Sequence, residues 1–132
     1  MWFNKKKAPP IRSLIGEGMV VHGELRFADG LRIDGEVFGD VMAEGAHSLL
    51  IVSENARIHG KVRASHVIIN GEIKGPVQCD EMLELQPKAR IIGDVRYEML
   101  EMHQGATIDG ELRSLKTADE RPALKLAASS RL

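Results

Sequence analysis

Apolar residues in the middle of the chain recur two positions apart and then four positions apart. Leu50, Val52, Ala56 and Ile58 show this spacing, and residues 83–91 repeat it. A step of two places side chains on one face of a strand, and a step of four through glycine or polar residues is typical of a corner. The three-and-four spacing of a helix is absent. The pattern therefore predicts short strands that return repeatedly to one interior.

An internal repeat of 17 to 18 residues underlies this spacing. Residues 81–95, EMLELQPKARIIGDV, match residues 98–112, EMLEMHQGATIDGEL, at seven of fifteen positions, and residues 48–62 match the first segment at a shift of 33. A fixed period of this kind indicates a solenoid in which each repeat stacks on its neighbours. One glycine recurs in each unit, at Gly23, Gly39, Gly60, Gly75, Gly93 and Gly110. We therefore predict an all-β, single-domain parallel β-helix of about six coils over residues 15–112, with disordered tails at residues 1–14 and 113–132.

The two ends of such a solenoid are its distinctive surfaces, because the outer coils have unpaired strand edges that template pairing with another chain. The repeat makes Met19, Val21, Leu25 and Phe27 interior positions of the first coil, which places them at one end, and it places Leu100, Met102, Ile108 and Leu112 at the other. We predict that these residues form the contacts of a homopolymer filament. The alternative is a monomeric scaffold whose ends are capped by residues 113–132, with an amphipathic cap possible in residues 115–126, and whose faces bind partner proteins.

Composition and charge bear on binding partners and on cellular location. The net charge is −1, so no overall field attracts nucleic acid. No apolar run is long enough for a signal peptide or a membrane span, and Cys79 is the only cysteine. These features favour the cytoplasm.

The amino terminus, MWFNKKKAPP, combines the only tryptophan with a phenylalanine and three lysines. Aromatic side chains favour the headgroup boundary of a bilayer, and each lysine near an anionic leaflet contributes about 1 kcal/mol. We predict that this tail binds the inner face of the cytoplasmic membrane, with avidity supplied by a filament. The predicted contact residues are Met1, Trp2, Phe3, Lys5, Lys6 and Lys7. An incidental disordered start is the alternative.

Other chemistry is weakly indicated. No two of the five histidines have the spacing of a common zinc-ligand pair, and no glycine-rich calcium-binding nonapeptide occurs. Cys79 has no histidine nearby in sequence, and no phosphate-binding loop of the GxxxxGK[ST] type is present. A left-handed hexapeptide acyltransferase would need a strict six-residue register, which the glycine spacing breaks. We expect no catalytic residue, cofactor, metal or nucleotide.

Six segments together resemble the bactofilin family of bacterial cytoskeletal proteins. They are IGEGMVVHGEL from Ile15, LRIDGEVFGDV from Leu31, and the later ARIHGKV, IINGEIKGPV, ARIIGDV and GATIDGEL. The resemblance implies a right-handed β-helix of triangular cross-section that polymerises without nucleotide through like ends, giving filaments without polarity. It also implies a short hydrophobic and basic membrane signal, and a scaffolding role for cell-wall, envelope or cell-shape machinery.

Overall fold

The structure, a computed structural model, describes residues 9–115, which form thirteen short or bent β-strands. The strands are β1 (Ile11–Ile15), β2 (Val20–His22), β3 (Leu25–Ile33), β4 (Glu36–Phe38), β5 (Val41–Val52), β6 (Arg57–His59), β7 (Val62–Ile69), β8 (Glu72–Lys74), β9 (Val77–Leu85), β10 (Arg90–Ile92), β11 (Val95–Met102), β12 (Thr107–Asp109) and β13 (Leu112–Ser114). All strand pairs are parallel. The predicted all-β solenoid is confirmed.

Two sheets and one bend give each coil three faces. The even-numbered strands, β2 to β12, form a six-stranded sheet, which we call face 1. The odd-numbered strands form a seven-stranded sheet, and its pairing register shifts within the long strands, for example between Phe27 and Asp29 in β3. We call the segments before this bend, together with β13, face 2, and the segments after it, together with β1, face 3. Six segments stack on face 1, which confirms about six coils.

Inward positions of face 1 show how the repeat varies. They are occupied by Val21, Val37, Ile58, Ile73, Ile91 and Ile108, which lie 16, 21, 15, 18 and 17 positions apart. The longest step contains the exposed corner Glu44–His47 between faces 2 and 3. Because none of these steps except 18 is a multiple of six, the hexapeptide register does not fit the fold.

The six repeated glycines stack directly on one another at the corner between faces 1 and 2. A Cβ at Gly39, Gly60, Gly75, Gly93 or Gly110 would overlap the carbonyl group of the glycine in the preceding coil. Only glycine permits two backbones to approach this closely. The glycine spacing in the sequence therefore matches the spacing at which the backbones of successive coils come into contact.

The core is a column of aliphatic side chains that runs the length of the solenoid. Its largest fully buried members are Ile33, Leu50, Ile58, Ile69, Ile73, Leu83, Leu85 and Ile91. Each stacks on its counterpart in the next coil, as Ile58 does on Ile73. A fully buried side chain of this size contributes about 1.5–3 kcal/mol, so the stacking of coils stabilises the fold.

Three sequence predictions need correction. The first strand begins at Ile11 and not at residue 15, because Ile11–Ile15 pairs with β3 and covers Ile33. At the other end β13 continues to Ser114, beyond the predicted limit of Leu112. Met19 was expected in the interior, but its side chain is exposed in the turn before β2.

Candidate assembly surfaces

The amino-terminal end of the solenoid is formed by three strand edges, one on each face. They belong to β2 on face 1, to Leu25–Phe27 of β3 on face 2 and to β1 on face 3. Each is hydrogen-bonded to a neighbouring coil on one side only within residues 9–115. Such an edge presents a row of N–H and C=O groups to any further strand that docks there.

The predicted residues of this end differ in accessibility. Val21 and Leu25 are half-buried and form the first layer of side chains on the core, whereas Met19 is exposed. Phe27 is only 8% exposed, because its side chain points into the interior of face 2. Phe27 therefore packs in the core beneath the end surface, and little of its side chain is accessible to a docking subunit.

Sequence reasoning missed the part of this end that β1 contributes. Ile11 and Leu14 are exposed on β1, and Val20 is exposed on β2. The signal was present in the spacing of Ser13 and Ile15, which pair in register with Leu31 and Ile33. It went unrecognised because no glycine marks the corner before Ile11.

The carboxy-terminal end has the same construction. Its edges are β12 on face 1, β13 on face 2 and the second half of β11 on face 3. The four predicted residues, Leu100, Met102, Ile108 and Leu112, are all half-buried and pack on the core as its last layer. All eight residues predicted for assembly thus lie in the first or last coil.

Exposed apolar side chains concentrate at these two ends. Of the eight large exposed hydrophobic residues within residues 9–115, six lie in a terminal coil: Ile11, Leu14, Met19, Val20, Met99 and Leu115. Only Phe38 and Ile92 lie between the ends. Since scattered apolar residues are normal on any surface, it is their concentration at the edges that distinguishes the two ends from the rest of the described surface.

A histidine joins two carboxylates close to the carboxy-terminal end. Nε2 of His103 lies 3.2 Å from Glu84 and 3.4 Å from Glu101. The three side chains bring potential metal-ligand atoms within 4.8 Å of one another. Two coils contribute to this cluster, which is why residues spaced 17 and 19 apart gave no motif in the sequence. The arrangement is accounted for as a polar contact between two neighbouring coils.

Outer side chains of face 1 form two columns that hold neighbouring coils in register. The rings of His22, Phe38 and His59 stack with centroid separations of 5.0 and 4.4 Å and nearly parallel planes. His59 also lies 2.9 Å from Glu36. A second column alternates in charge through Glu36, Arg57, Glu72 and Arg90. These histidines and acids thus take part in contacts between coils.

Two of the acidic residues that follow the repeated glycines also connect neighbouring coils. Oδ1 of Asp40 accepts a hydrogen bond from the backbone N–H of Lys61, and Oδ1 of Asp94 accepts one from Glu111, both at 2.9 Å. Each carboxylate therefore satisfies a corner N–H of the next coil.

Cys79 lies in the core beneath face 2 and is fully buried. Its Sγ donates to the carbonyl oxygen of Met82 at 2.6 Å, and burial raises the pKa of the thiol to about 12. The thiolate, which is the nucleophilic form, is therefore scarce at neutral pH.

Comparison with known proteins agrees with this geometry. A family model described as "Bactofilin: Polymer-forming cytoskeletal" matches residues 13–113, which include every coil. The chain belongs to the bactofilin family. Its matches include Bactofilin BacO from Myxococcus xanthus (strain DK1622), 23% identical over 110 residues, which cover 83% of this chain and 85% of BacO.

Bactofilin BacP from the same strain is 24% identical over 117 residues. These residues cover 85% of this chain but 48% of BacP, so the chain spans about half the length of that bactofilin. No solved structure matches. The bactofilin family is thus established by sequence, and the solenoid described above shows how one member builds its coils.

The predicted membrane contacts, from Met1 to Lys7, lie outside the described residues. Between residues 9 and 115 the structure contains no helix long and apolar enough to cross a bilayer.

Proposed function

We propose that this chain assembles end to end into filaments without any nucleotide, and that it acts as a structural polymer and not as an enzyme. The observation that carries this proposal is the pair of open ends. Each presents three strand edges that have no partner within residues 9–115 and are bordered by exposed apolar side chains. The family description as polymer-forming and cytoskeletal supports it.

Stacking of a second subunit on either end would extend both the hydrogen-bond ladders and the core. Val21, Leu25 and Ile108 are half-buried in the single chain, and a neighbouring coil would cover them as Ile73 covers Ile58. Full burial of such a side chain is worth about 1.5–3 kcal/mol, and roughly half of this is still available at each end position. Since both ends have several such residues, every added subunit gains from the same contacts.

Electron microscopy of the purified protein without nucleotide tests assembly. Val21→Glu and Ile108→Glu, one at each end of face 1, should each abolish long filaments, because a charge in a closed interface would be buried without a partner. Ile92→Glu is the matched control, since Ile92 is exposed between the ends on the outside of face 1. Long filaments in both end variants would contradict the proposed ends, and discrete particles from the wild type at high concentration would favour a capped monomeric scaffold.

We further propose that the amino-terminal tail holds these filaments on the inner face of the cytoplasmic membrane, where they serve as a scaffold for cell-envelope or cell-shape machinery. Trp2 and Phe3 beside Lys5–Lys7 provide the apolar and the cationic parts of a peripheral anchor. Because every subunit carries one anchor, a filament binds far more tightly than a single chain.

Flotation with anionic vesicles tests the anchor. Deletion of residues 2–7 should release filaments from the vesicles without preventing their formation. A variant with Lys5, Lys6 and Lys7 changed to Gln should show intermediate binding that no longer depends on lipid charge. Undiminished flotation of the deletion variant would show that another surface binds the membrane.

A further inference from the structure

One column of side chains on the outside of face 3 is buried although it does not belong to the core. The column is formed by equivalent positions of successive coils: Gly30, Leu49, His66, Met82 and Met99. Its neighbours in sequence, such as Leu50 and Leu83, point into the core, so these side chains point outward. Leu49 and Met82 are accordingly absent from the buried core cluster. We call this set the outer column.

Burial along the outer column changes from one end to the other. Leu49, His66 and Met82 are only 4%, 6% and 8% exposed, whereas Met99 in the next coil is 46% exposed. Every strand of residues 9–115 belongs to one of the two sheets that form the wall, so none of these strands lies over the outside of face 3. Burial of the outer column thus extends over β5, β7 and β9 and ends before β11.

The chain enters the fold at the buried end of this column. The carbonyl oxygen of Pro10 lies 2.5 Å, and Cα of Ile11 3.0 Å, from the position that a Cβ on Gly30 would occupy. Since Gly30 is the first member of the outer column, the backbone at Pro10 and Ile11 crosses its outer side. Glycine is required there because any side chain would collide with the entering chain.

We propose that residues 2–8 of this chain dock on the outer column, with Trp2 and Phe3 against Leu49, His66 and Met82. From Gly30 to Met82 the column crosses three strand spacings, about 14 Å. An extended chain covers at most about 3.3–3.6 Å per residue, so the nine residues from Trp2 to Pro10 reach this distance with length to spare. The tail also holds the apolar side chains that such a surface selects.

The direction of the cover favours this tail over the carboxy-terminal segment. The backbone N–H of Leu115 donates to the carbonyl oxygen of Tyr97, so the chain leaves the fold beside Met99. A segment entering from that side would cover Met99 first, and Met99 is the exposed member of the column. A second copy of the chain packed on this face would likewise be expected to bury Met99.

Docking has a consequence for the anchor, which rests on the membrane association proposed above. Trp2 and Phe3 cannot occupy the outer column and the headgroup boundary of a bilayer together. The docked tail is therefore an inactive state of the anchor, and its population lowers the apparent affinity for membranes. If the docked state is about tenfold more populated than the free state, its loss raises that affinity about tenfold.

Trp2 is the only tryptophan, so its fluorescence reports docking directly in the full chain without lipid. Docking predicts a blue-shifted emission maximum and weaker acrylamide quenching than in denaturant, independent of protein concentration. Met82→Glu should shift the emission to the red and increase quenching, while Ile92→Glu on the outside of face 1 should leave both unchanged. Far-UV circular dichroism checks that both variants are folded.

Solvent-like emission and quenching of Trp2 in the wild type would overturn the proposal whatever the variants do. Protection that disappears on dilution would assign the cover to a second copy, and protection retained in Met82→Glu would place Trp2 elsewhere. Anionic vesicles then test the consequence separately: folded Met82→Glu should bind them more tightly than Ile92→Glu. Equal binding, with docking shown by fluorescence, would reject the competition and leave the docked tail in place.

Discussion

Replacing Gly75 by alanine would test how closely the coils approach at the corner between faces 1 and 2. The added Cβ would overlap the carbonyl group of Gly60 and lie 3.3 Å from its Cα. These are backbone atoms in the middle of the solenoid, so relief requires the two coils to separate. The substitution therefore perturbs stacking itself.

The magnitude follows from two contributions. Gly75 has a φ of +151°, which L-residues rarely adopt, and this strain costs about 1–3 kcal/mol. Overpacking against the Gly60 backbone adds about 1–3 kcal/mol. The expected loss is about 2–6 kcal/mol, a large part of the 5–15 kcal/mol that stabilises a typical domain.

Two other glycines separate these contributions. Gly45 has a φ of +93° with no atom within 4 Å of its Cβ position, so Gly45→Ala should cost only about 1–2 kcal/mol from conformation. Gly16 has neither a near neighbour nor a restricting φ, and Gly16→Ala should change stability by less than about 1 kcal/mol.

The assay is urea unfolding followed by far-UV circular dichroism, at a concentration where light scattering shows no assembly. The predicted order of stability is Gly16→Ala, Gly45→Ala and then Gly75→Ala. If Gly75→Ala were as stable as Gly16→Ala, the coils would not be in the contact described here, and the physical basis given for the repeat would be wrong.

Three further predictions concern single side chains. Burial lowers the pKa of His66, so the free energy of unfolding should be full above about pH 6.5 and fall as the pH drops below it, because the unfolded chain is protonated first. His66→Met should reduce this dependence by up to about 1.4 kcal/mol per pH unit. Unfolding midpoints that shift equally with pH in both proteins would contradict this prediction. Cys79, with its pKa raised to about 12, should react with a thiol reagent at pH 8 far more slowly in the native protein than in urea, and equal rates would show an accessible thiolate. Asp94→Ala removes the acceptor of the hydrogen bond from Glu111 and should lower the free energy of unfolding, measured in urea, by about 1 kcal/mol. Asp94→Asn should restore most of this loss because its amide oxygen also accepts a hydrogen bond. The same loss in both variants would show that the charge of Asp94 is the cause.

The solenoid could be predicted from sequence because its backbone contacts repeat with the sequence period. Gly39, Gly60 and Gly75 recur for one physical reason, the overlap that any Cβ would cause, so their spacing gives the coils directly. The positions of the end residues followed once the coils were counted. Ile58 and its equivalents could be assigned to the interior for the same reason.

Features outside this period could not be predicted. β1 forms a single face of an incomplete coil, so Ile11 has no glycine-marked corner to identify it. Leu49 and Met82 occupy outward positions, where alternation predicts solvent, and their burial depends on the arrangement of the whole face. Glu84 and His103 meet because two coils stack, and no local spacing encodes that contact.

The axial structure of filaments grown without nucleotide tests the central claim most directly. Six coils at about 4.8 Å each give about 29 Å per subunit, or about 58 Å for a repeat of two subunits joined by like ends. Cryo-electron microscopy or fibre diffraction should therefore show strands perpendicular to the filament axis, a spacing of about 4.8 Å along it and one of these two subunit repeats. Discrete particles, or filaments whose axial repeat is set by the width of the coil and lacks the strand spacing along the axis, would contradict assembly through the ends.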